Sequence, residues 1–208
     1  MKHKSEFDIK AAEWDKSDMH RERARAVAAA ILNEIPLNGE MTALEFGAGT
    51  GLLSFMLKDN FKQITLIDNS EGMVRVLNEK LTTAKADNLK VVKADLEHED
   101  FSPGNFDLIY TLMVLHHVGH LETILKKFHD MLNPGGYLAI ADLYSEDGSF
   151  HGKGFNGHLG FDPASLAAML EKYGFSGINY NKVYVIDKKI SENVSKNFDV
   201  FLMTATRT

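Results

Sequence analysis

From Met41 to Leu143 short apolar runs alternate with helix-periodic stretches, and that alternation leaves few folds open. The apolar runs are Met41–Phe46, Gln63–Ile67, Leu89–Ala94, Phe106–Leu112 and Tyr137–Leu143. Between them lie helix-like segments at Leu52–Lys58, Ser70–Ala84 and Leu121–Leu132. Strands that take turns with helices build a mostly parallel sheet covered on both faces, because a parallel connection needs a crossover to bring the chain back. The expected fold class is α/β and doubly wound.

The flanks complete this plan. Ala24, Val27, Ala28, Ile31, Leu32 and Ile35 recur at three- and four-residue spacing and give Met19–Ile35 one apolar stripe. That stripe is expected in the core, with a dimer face as its other use, so the chain reads as a monomer or homodimer. Pro36 and Asn38-Gly39 end the helix. Asn133-Pro134-Gly135-Gly136 reads as a tight turn, and Asp162–Tyr173 as a helix with Asp162 as N-cap, Pro163 at its first position and Gly174 past its end. Ile178–Asp187 and Phe198–Thr206 have no helical pattern between them and read as an antiparallel hairpin at one sheet edge. With no repeat or linker in sight, residues 1–208 form one expected domain, residues 1–36 serving as a helical lid segment. The stretch 144–161 holds five glycines and two histidines with little periodicity. It exceeds the usual ~12–15 residues of a structureless connection, and is expected to be a flexible loop on the substrate side.

Composition removes several functions. The chain has no cysteine, so it has no disulfide, thiolate metal site or cysteine nucleophile. A net charge of −6 without a basic block argues against a nucleic-acid partner. Met1–Lys10 is polar and charged, unlike a signal peptide, and no run is long enough to span a bilayer. A soluble, cytoplasmic protein without membrane contact is expected.

The chemistry centres on Leu44-Glu45-Phe46-Gly47-Ala48-Gly49-Thr50-Gly51, at the junction of a strand and the next helix. Glycines there keep side chains out of the way, so backbone N–H groups can face a bound molecule. Asp68 ends the second strand, 21 residues after Gly47. An acid at that place accepts hydrogen bonds from ribose hydroxyls, and its alternative role is a helix cap. The dinucleotide fingerprint wants glycine where Leu52 stands. Glu45 beside the loop would repel a pyrophosphate and suit the ammonium of an amino-acid moiety.

On these residues the chain resembles the class I S-adenosylmethionine-dependent methyltransferases over essentially its whole length. Lys93-Ala94-Asp95-Leu96 is similar to the family's third-strand segment, and Phe106–Leu112 with Val114-Leu115-His116-His117-Val118 to its fourth-strand motif. Leu132–Gly136 is similar to the turn before the fifth strand. The resemblance implies a Rossmann-like, seven-stranded sheet with an antiparallel last strand. It implies that Glu45, Gly47, Ala48, Gly49 and Gly51 wrap the methionine part of S-adenosylmethionine and that Asp68 holds the ribose. Asn69 and Met73 would lie beside the adenosine, Asp95 and Leu96 at the adenine, Thr111 and Leu112 by the sulfonium. Trp14 would cover the cofactor or simply dock on the core. Phe7-Asp8 through Trp14-Asp15, and Glu146–His151 leading to His158–Asp162, resemble a group of small bacterial methyltransferases.

The implied reaction is in-line methyl transfer to a small-molecule acceptor, leaving S-adenosylhomocysteine. Positioning can supply roughly 7–11 kcal/mol of such a barrier. His116 and His117 follow the fourth strand and are the candidate bases; their other reading is a helix start and a packing residue. His151 and His158 are substrate-side candidates. No metal is expected, because the histidines show no ligand spacing. Asp142 is placed like a metal ligand of catechol-type methyltransferases, but Thr111 and Leu112 stand where the matching acid would be. The fourth strand lacks the Pro-Pro-aromatic signature of nucleic-acid amino-methyltransferases. The rival readings are a non-catalytic cofactor-binding or partner-binding module, and an NAD(P)-dependent oxidoreductase, which Leu52 and the absence of Tyr-x-x-x-Lys disfavour.

Overall fold

Thr42–Phe46 (β1) is buried from its second residue onward, so it runs through the middle of the sheet rather than along an edge. The computed structural model describes residues 6–101 and 103–208. Strands β1, Gln63–Asp68 (β2), Leu89–Lys93 (β3), Phe106–Leu112 (β4), Leu132–Leu143 (β5), Phe175–Ser191 (β6) and Val194–Arg207 (β7) form one seven-stranded sheet in the order β3-β2-β1-β4-β5-β7-β6. Strands β1 to β5 pair in parallel, while β7 runs antiparallel to both β5 and β6. The Rossmann-like sheet with its antiparallel C-terminal hairpin is the one expected.

Side chains alternate between two cores, as a period of two requires. Leu44, Ile109 and Ile140 face helices Leu121–Met131 (labelled α5) and Pro163–Lys172 (α6). Ala43, Tyr110 and Ala139 face the other side, against helices Asp18–Glu34 (α2) and Leu52–Leu57 (α3) and Leu77 of helix Glu71–Ala84 (α4). Asp162 caps α6 by accepting from Ser165 N at 2.9 Å. Among the described residues no helix is long and apolar enough to cross a membrane.

Four features differ from the sequence reading. The fifth strand begins at Leu132, and Asn133–Gly136 bulges within it: pairing advances from Leu132 to Tyr137 on β5 while β4 moves from Phe106 to Leu108. The hairpin strands are longer than expected, because β6 is an exposed edge whose polar residues carry no core pattern. Residues Glu6–Lys10 form a short helix (α1) followed by a 3-10 turn, Ala11–Lys16. Finally, the stretch expected to be a flexible loop is laced down. Ser145 and Glu146 donate to the Phe161 and Leu159 carbonyls at 2.9 Å, and His158 N donates to His116 O at 2.7 Å. Phe150 is buried with Ile186, Phe198 and Val200 of the hairpin.

Two glycines of that stretch, Gly157 and Gly160, serve close approach. Gly160 has φ +70, and a Cβ there would run into the Tyr144 carbonyl. Gly160→Ala is therefore expected to cost more than ~1 kcal/mol, read as a shift in urea midpoint. Gly39→Ala, with nothing within 4 Å of its Cβ position, should stay close to wild type.

Glu45 of β1 turns its carboxyl inward. Ser54 Oγ of α3 donates to it and lies 2.5 Å from the Tyr110 hydroxyl of β4, so three elements meet at one polar knot beneath the glycine loop. Burial pushes the Glu45 pKa up to about 8 from its ordinary 4.5. Between those values the folded chain holds a proton that the unfolded chain has lost. The stability from this group is full below the ordinary value and falls by ~1.4 kcal/mol per unit as pH rises toward 8. Glu45→Gln is expected to flatten that slope in denaturation series run across this window; a wild-type slope in the variant would show that the carboxyl ionises freely.

Candidate functional site

The chain leaves β1 for β2 and β3 on one side of the sheet, and β4 leads to β5 on the other. Ligands of open α/β sheets bind in the crevice beyond the carboxyl ends of strands at such a switch point. A cavity of about 730 Å³ lies there. Its walls include Glu45, Gly47, Ala48, Gly49, Asp68, Asn69, Met73, Asp95, Leu96 and Leu112 of the expected cofactor set, Trp14 from the N-terminal segment, and His116, His117 and His151. Gly51, Thr111 and His158 fall outside it. A Cβ on Gly51 would meet Leu77 of α4 at 2.7 Å, so that glycine serves helix packing. Thr111 Oγ1 donates to the Phe46 carbonyl at 2.9 Å between β1 and β4. His158 Nε2 bonds the Val118 carbonyl at 3.0 Å.

The glycine loop is held from within. Gly47 takes φ +67, and a Cβ there would overlap Val114, so the loop lies directly on the segment after β4. Ala48 N donates to Ile67 O at 2.9 Å, and Gly49 N donates to Asp68 Oδ2 at 2.7 Å. The Gly49 amide thus faces Asp68 rather than the cavity. The other carboxylate oxygen, Oδ1, accepts from Ser70 N at 2.8 Å. The helix cap is Ser70, whose Oγ accepts from Met73 N at 3.2 Å. Burial raises the Asp68 pKa. Asp95 is pulled the other way: against burial, the His98 ring 3.0 Å from its Oδ2 and nearby backbone amides hold its pKa below the ordinary value.

Sequence reasoning missed how the N-terminal segment is anchored. Asp8 Oδ1 accepts from Ser70 Oγ at 2.7 Å and Gly72 N at 2.8 Å. Asp15 accepts from Thr50 Oγ1 and, at 2.6 Å, from Lys80 Nζ, which also donates to the Thr50 carbonyl at 2.6 Å. These acids tie α1 and the 3-10 turn onto the β1–α3 and β2–α4 loops. Phe7 and Trp14 then line the cavity, with Trp14 stacked 4.1 Å from His20. The available signal was the aromatic–acid pair that occurs twice, Phe7-Asp8 and Trp14-Asp15.

The far end of the cavity is built on Asp142, at the end of β5 and fully buried. Its Oδ1 lies 2.6 Å from His116 Nδ1 and accepts from Leu143 N at 2.7 Å. Its Oδ2 accepts from His116 N at 3.3 Å. His117 and His151 sit beside His116, ring centroids 4.2 and 5.0 Å away. Burial, then the neighbouring imidazoles, hold the pKa of His117 down to about 3 and that of His151 to about 4. His151 stacks 3.8 Å from Phe155, and its Nε2 is buried without a partner. The ligating atoms of these three histidines all lie within 4.8 Å of one another.

Arg23 of α2 also reaches this end. It is 6% exposed. Its Nη1 donates to the Met19 sulfur at 3.6 Å, and its Nε has no hydrogen-bond partner among the described residues. Burial lowers its pKa to about 10, while Asp142 acts on it through space. No sequence signal marked it, since an arginine on a helix ordinarily faces water.

The family model of the methyltransferase domain matches residues 19–180. An uncharacterized methyltransferase of Schizosaccharomyces pombe is 32% identical over 153 residues, covering 65% of this chain and 54% of that one. The chain thus spans about half, or less, of the curated relatives it matches. A Haloferax volcanii methyltransferase, solved with the Trm112 methyltransferase activator, superposes with a TM-score of 0.77 at 18% identity, covering 99% of this chain and 98% of that one. Haemonchus contortus phosphoethanolamine N-methyltransferase 2, solved with S-adenosyl-L-methionine, gives 0.71 at 15%, over 98% and 60%. At such identities these likenesses speak for the fold, while the family model covers most of the chain. It belongs to the class I S-adenosylmethionine-dependent methyltransferases.

Proposed function

We propose that the protein transfers a methyl group from S-adenosylmethionine to a small-molecule acceptor that carries a carboxylate or a comparable anionic group. The observation that carries this reading is one cavity with two unlike ends: Asp68 at the glycine loop, and the buried, ion-pair-free Arg23 beside the His116–Asp142 pair.

The residues present fit the cofactor. Asp68 borders the cavity with a buried carboxylate suited to ribose hydroxyls, while Met73, Leu96 and Trp14 offer apolar walls for an adenosine. The volume of about 730 Å³ leaves room for a second small molecule. When bound, S-adenosylmethionine supplies a methyl group already activated on a sulfonium. The protein's part is to align, enclose and desolvate. The anchored segment Glu6–Lys16 roofs the cavity and keeps water out.

At the acceptor end, a buried guanidinium without a carboxylate partner is costly, and a planar anion satisfies it in two hydrogen bonds. Where the acceptor must lose a proton, His116 is placed to take it. Asp142 accepts from Nδ1–H in this reading and leaves Nε2 as the basic atom. His117 and His151 stay neutral beside it.

Calorimetric titration tests the cofactor half. Wild-type protein should bind S-adenosylmethionine and S-adenosylhomocysteine but not NAD, and Asp68→Ala should weaken both by ~10- to 100-fold, the worth of hydrogen bonds to a charged group. Unchanged affinity in a folded variant would reduce Asp68 to a loop brace. The acceptor half is tested by release of S-adenosylhomocysteine across a panel of small carboxylates and their methyl esters. Turnover should be confined to free acids, and Arg23→Met should abolish that preference while still binding S-adenosylhomocysteine. Equal turnover of acids and esters by wild type would remove the anionic acceptor.

A further inference from the structure

Among the described residues His116, His117 and His151 are the group of three or more metal-capable side chains whose ligand atoms converge. They come from two separate places in the chain. His116 and His117 lie in the 3-10 turn after β4, and His151 lies in the laced segment after β5. Their separation in sequence is why no ligand spacing was visible there.

We propose that these three histidines form a binding site for a divalent transition-metal ion of the zinc class, with its remaining coordination position open to the cavity. Three observations carry the inference. First, His116 already has the arrangement of a metal-ligating histidine: Nδ1 is held 2.6 Å from a buried carboxylate, Asp142, which fixes the ring and frees Nε2. Second, the His151 Nε2 is buried with no hydrogen-bond partner, an expense that an ion at this place would remove. Third, the group is wrapped in aromatic rings: Phe155 and Phe150 lie 3.8 and 4.8 Å from His151, and Phe7 lies 5.2 Å from His117. Such a shell limits water around the ion while leaving one side open.

Donor chemistry selects the ion class. Three neutral nitrogens without any thiolate, in a chain with no cysteine, suit zinc, nickel, cobalt or copper, whereas magnesium and calcium want oxygen ligands. Zinc bonds to histidine nitrogen at about 2.0–2.1 Å, which sets tetrahedral nitrogens roughly 3.3 Å apart. The present spread of up to 4.8 Å has to close to that on binding. Three histidines with one open position is the ligand pattern of a site that takes a further ligand.

The inference deepens the proposed function, since the open position faces the space assigned to the acceptor. Arg23 and His116 share Asp142 as a neighbour, so a molecule could place a lone pair on the ion and its anionic group at Arg23. The ion would also engage the His116 lone pair, and a proton on the acceptor would be made more acidic by coordination rather than taken by imidazole.

The test is metal binding by untagged, full-length protein after exhaustive chelation. Zn²⁺ titrated by calorimetry against a weak competing chelator should bind at one equivalent, and Co²⁺ should give the visible absorption of a tetrahedral nitrogen site. His151→Gln and His117→Gln should each lower the affinity at least tenfold. Asp142→Asn should lower it by ~10- to 100-fold, as loss of an orienting carboxylate does. His98→Gln, in the exposed His98–His120 pair, should change nothing. Weak, multi-site uptake that ignores His117 and His151, or an equivalent lost in His98→Gln, would overturn the proposal. Binding of S-adenosylhomocysteine is measured on the same chelated protein. If it persists without any zinc site, the metal inference falls while the methyltransferase reading stands; if it fails while zinc binds, the reverse holds.

Discussion

The Asp68 carboxylate is the joint on which the glycine-loop end of the cavity depends. One oxygen takes the Gly49 amide from the loop after β1, the other takes the Ser70 amide at the start of α4. Two loops from neighbouring parallel strands are thereby locked to one side chain. Everything laid over them inherits that geometry. Asp8 fastens to the Ser70 end and Asp15 to the Thr50 end, so the aromatic roof is positioned by the same two loops that floor the cavity. A shift at Asp68 would reach Phe7 and Trp14 through two short hydrogen-bonded steps.

The opposite end carries buried charge. Asp142 is fully buried, Arg23 nearly so, and no ion pair joins them. Isolated charges in a protein interior are expensive, and apolar residues of like volume usually leave a fold as stable or more so. The sheet tolerates this because Asp142 lies at a strand end, while β1, β4 and β5 contribute most of their residues to the two apolar layers. Local inconsistency of this kind concentrates where a chain has work to do.

Legibility in the sequence followed the range of the interaction. The five parallel strands and their helices were readable because a strand's period and a helix cap are written within a few residues. The glycine loop and Asp68 were readable for the same reason. Strand β6 was underestimated because an exposed edge keeps its polar residues and loses the alternating pattern. The short α1 has too few turns for a stripe. The segment 144–161 looked loose because it is long and aperiodic, whereas its hydrogen bonds to Phe161, Leu159 and His116 and the close pass of Gly160 against Tyr144 are made between distant positions. Least legible was the far end of the cavity, where His116 meets a carboxylate 26 residues away and Arg23 comes from a helix that reads as ordinary core. No local pattern announces a contact made by sheet topology.

The cavity's two ends also differ in charge. Asp68 and Asp95 border the glycine-loop side, with Glu45 protonated beneath it; Arg23 and Lys188 border the other, together with buried Asp142 and with Glu6 beside His117 and His151. Two histidines between them have their pKa lowered, to about 3 for His117 and about 4 for His151, by desolvation and by the neighbouring imidazoles. In the proposed reading Asp68 and Asp95 would face a cationic group and Arg23 an anionic one.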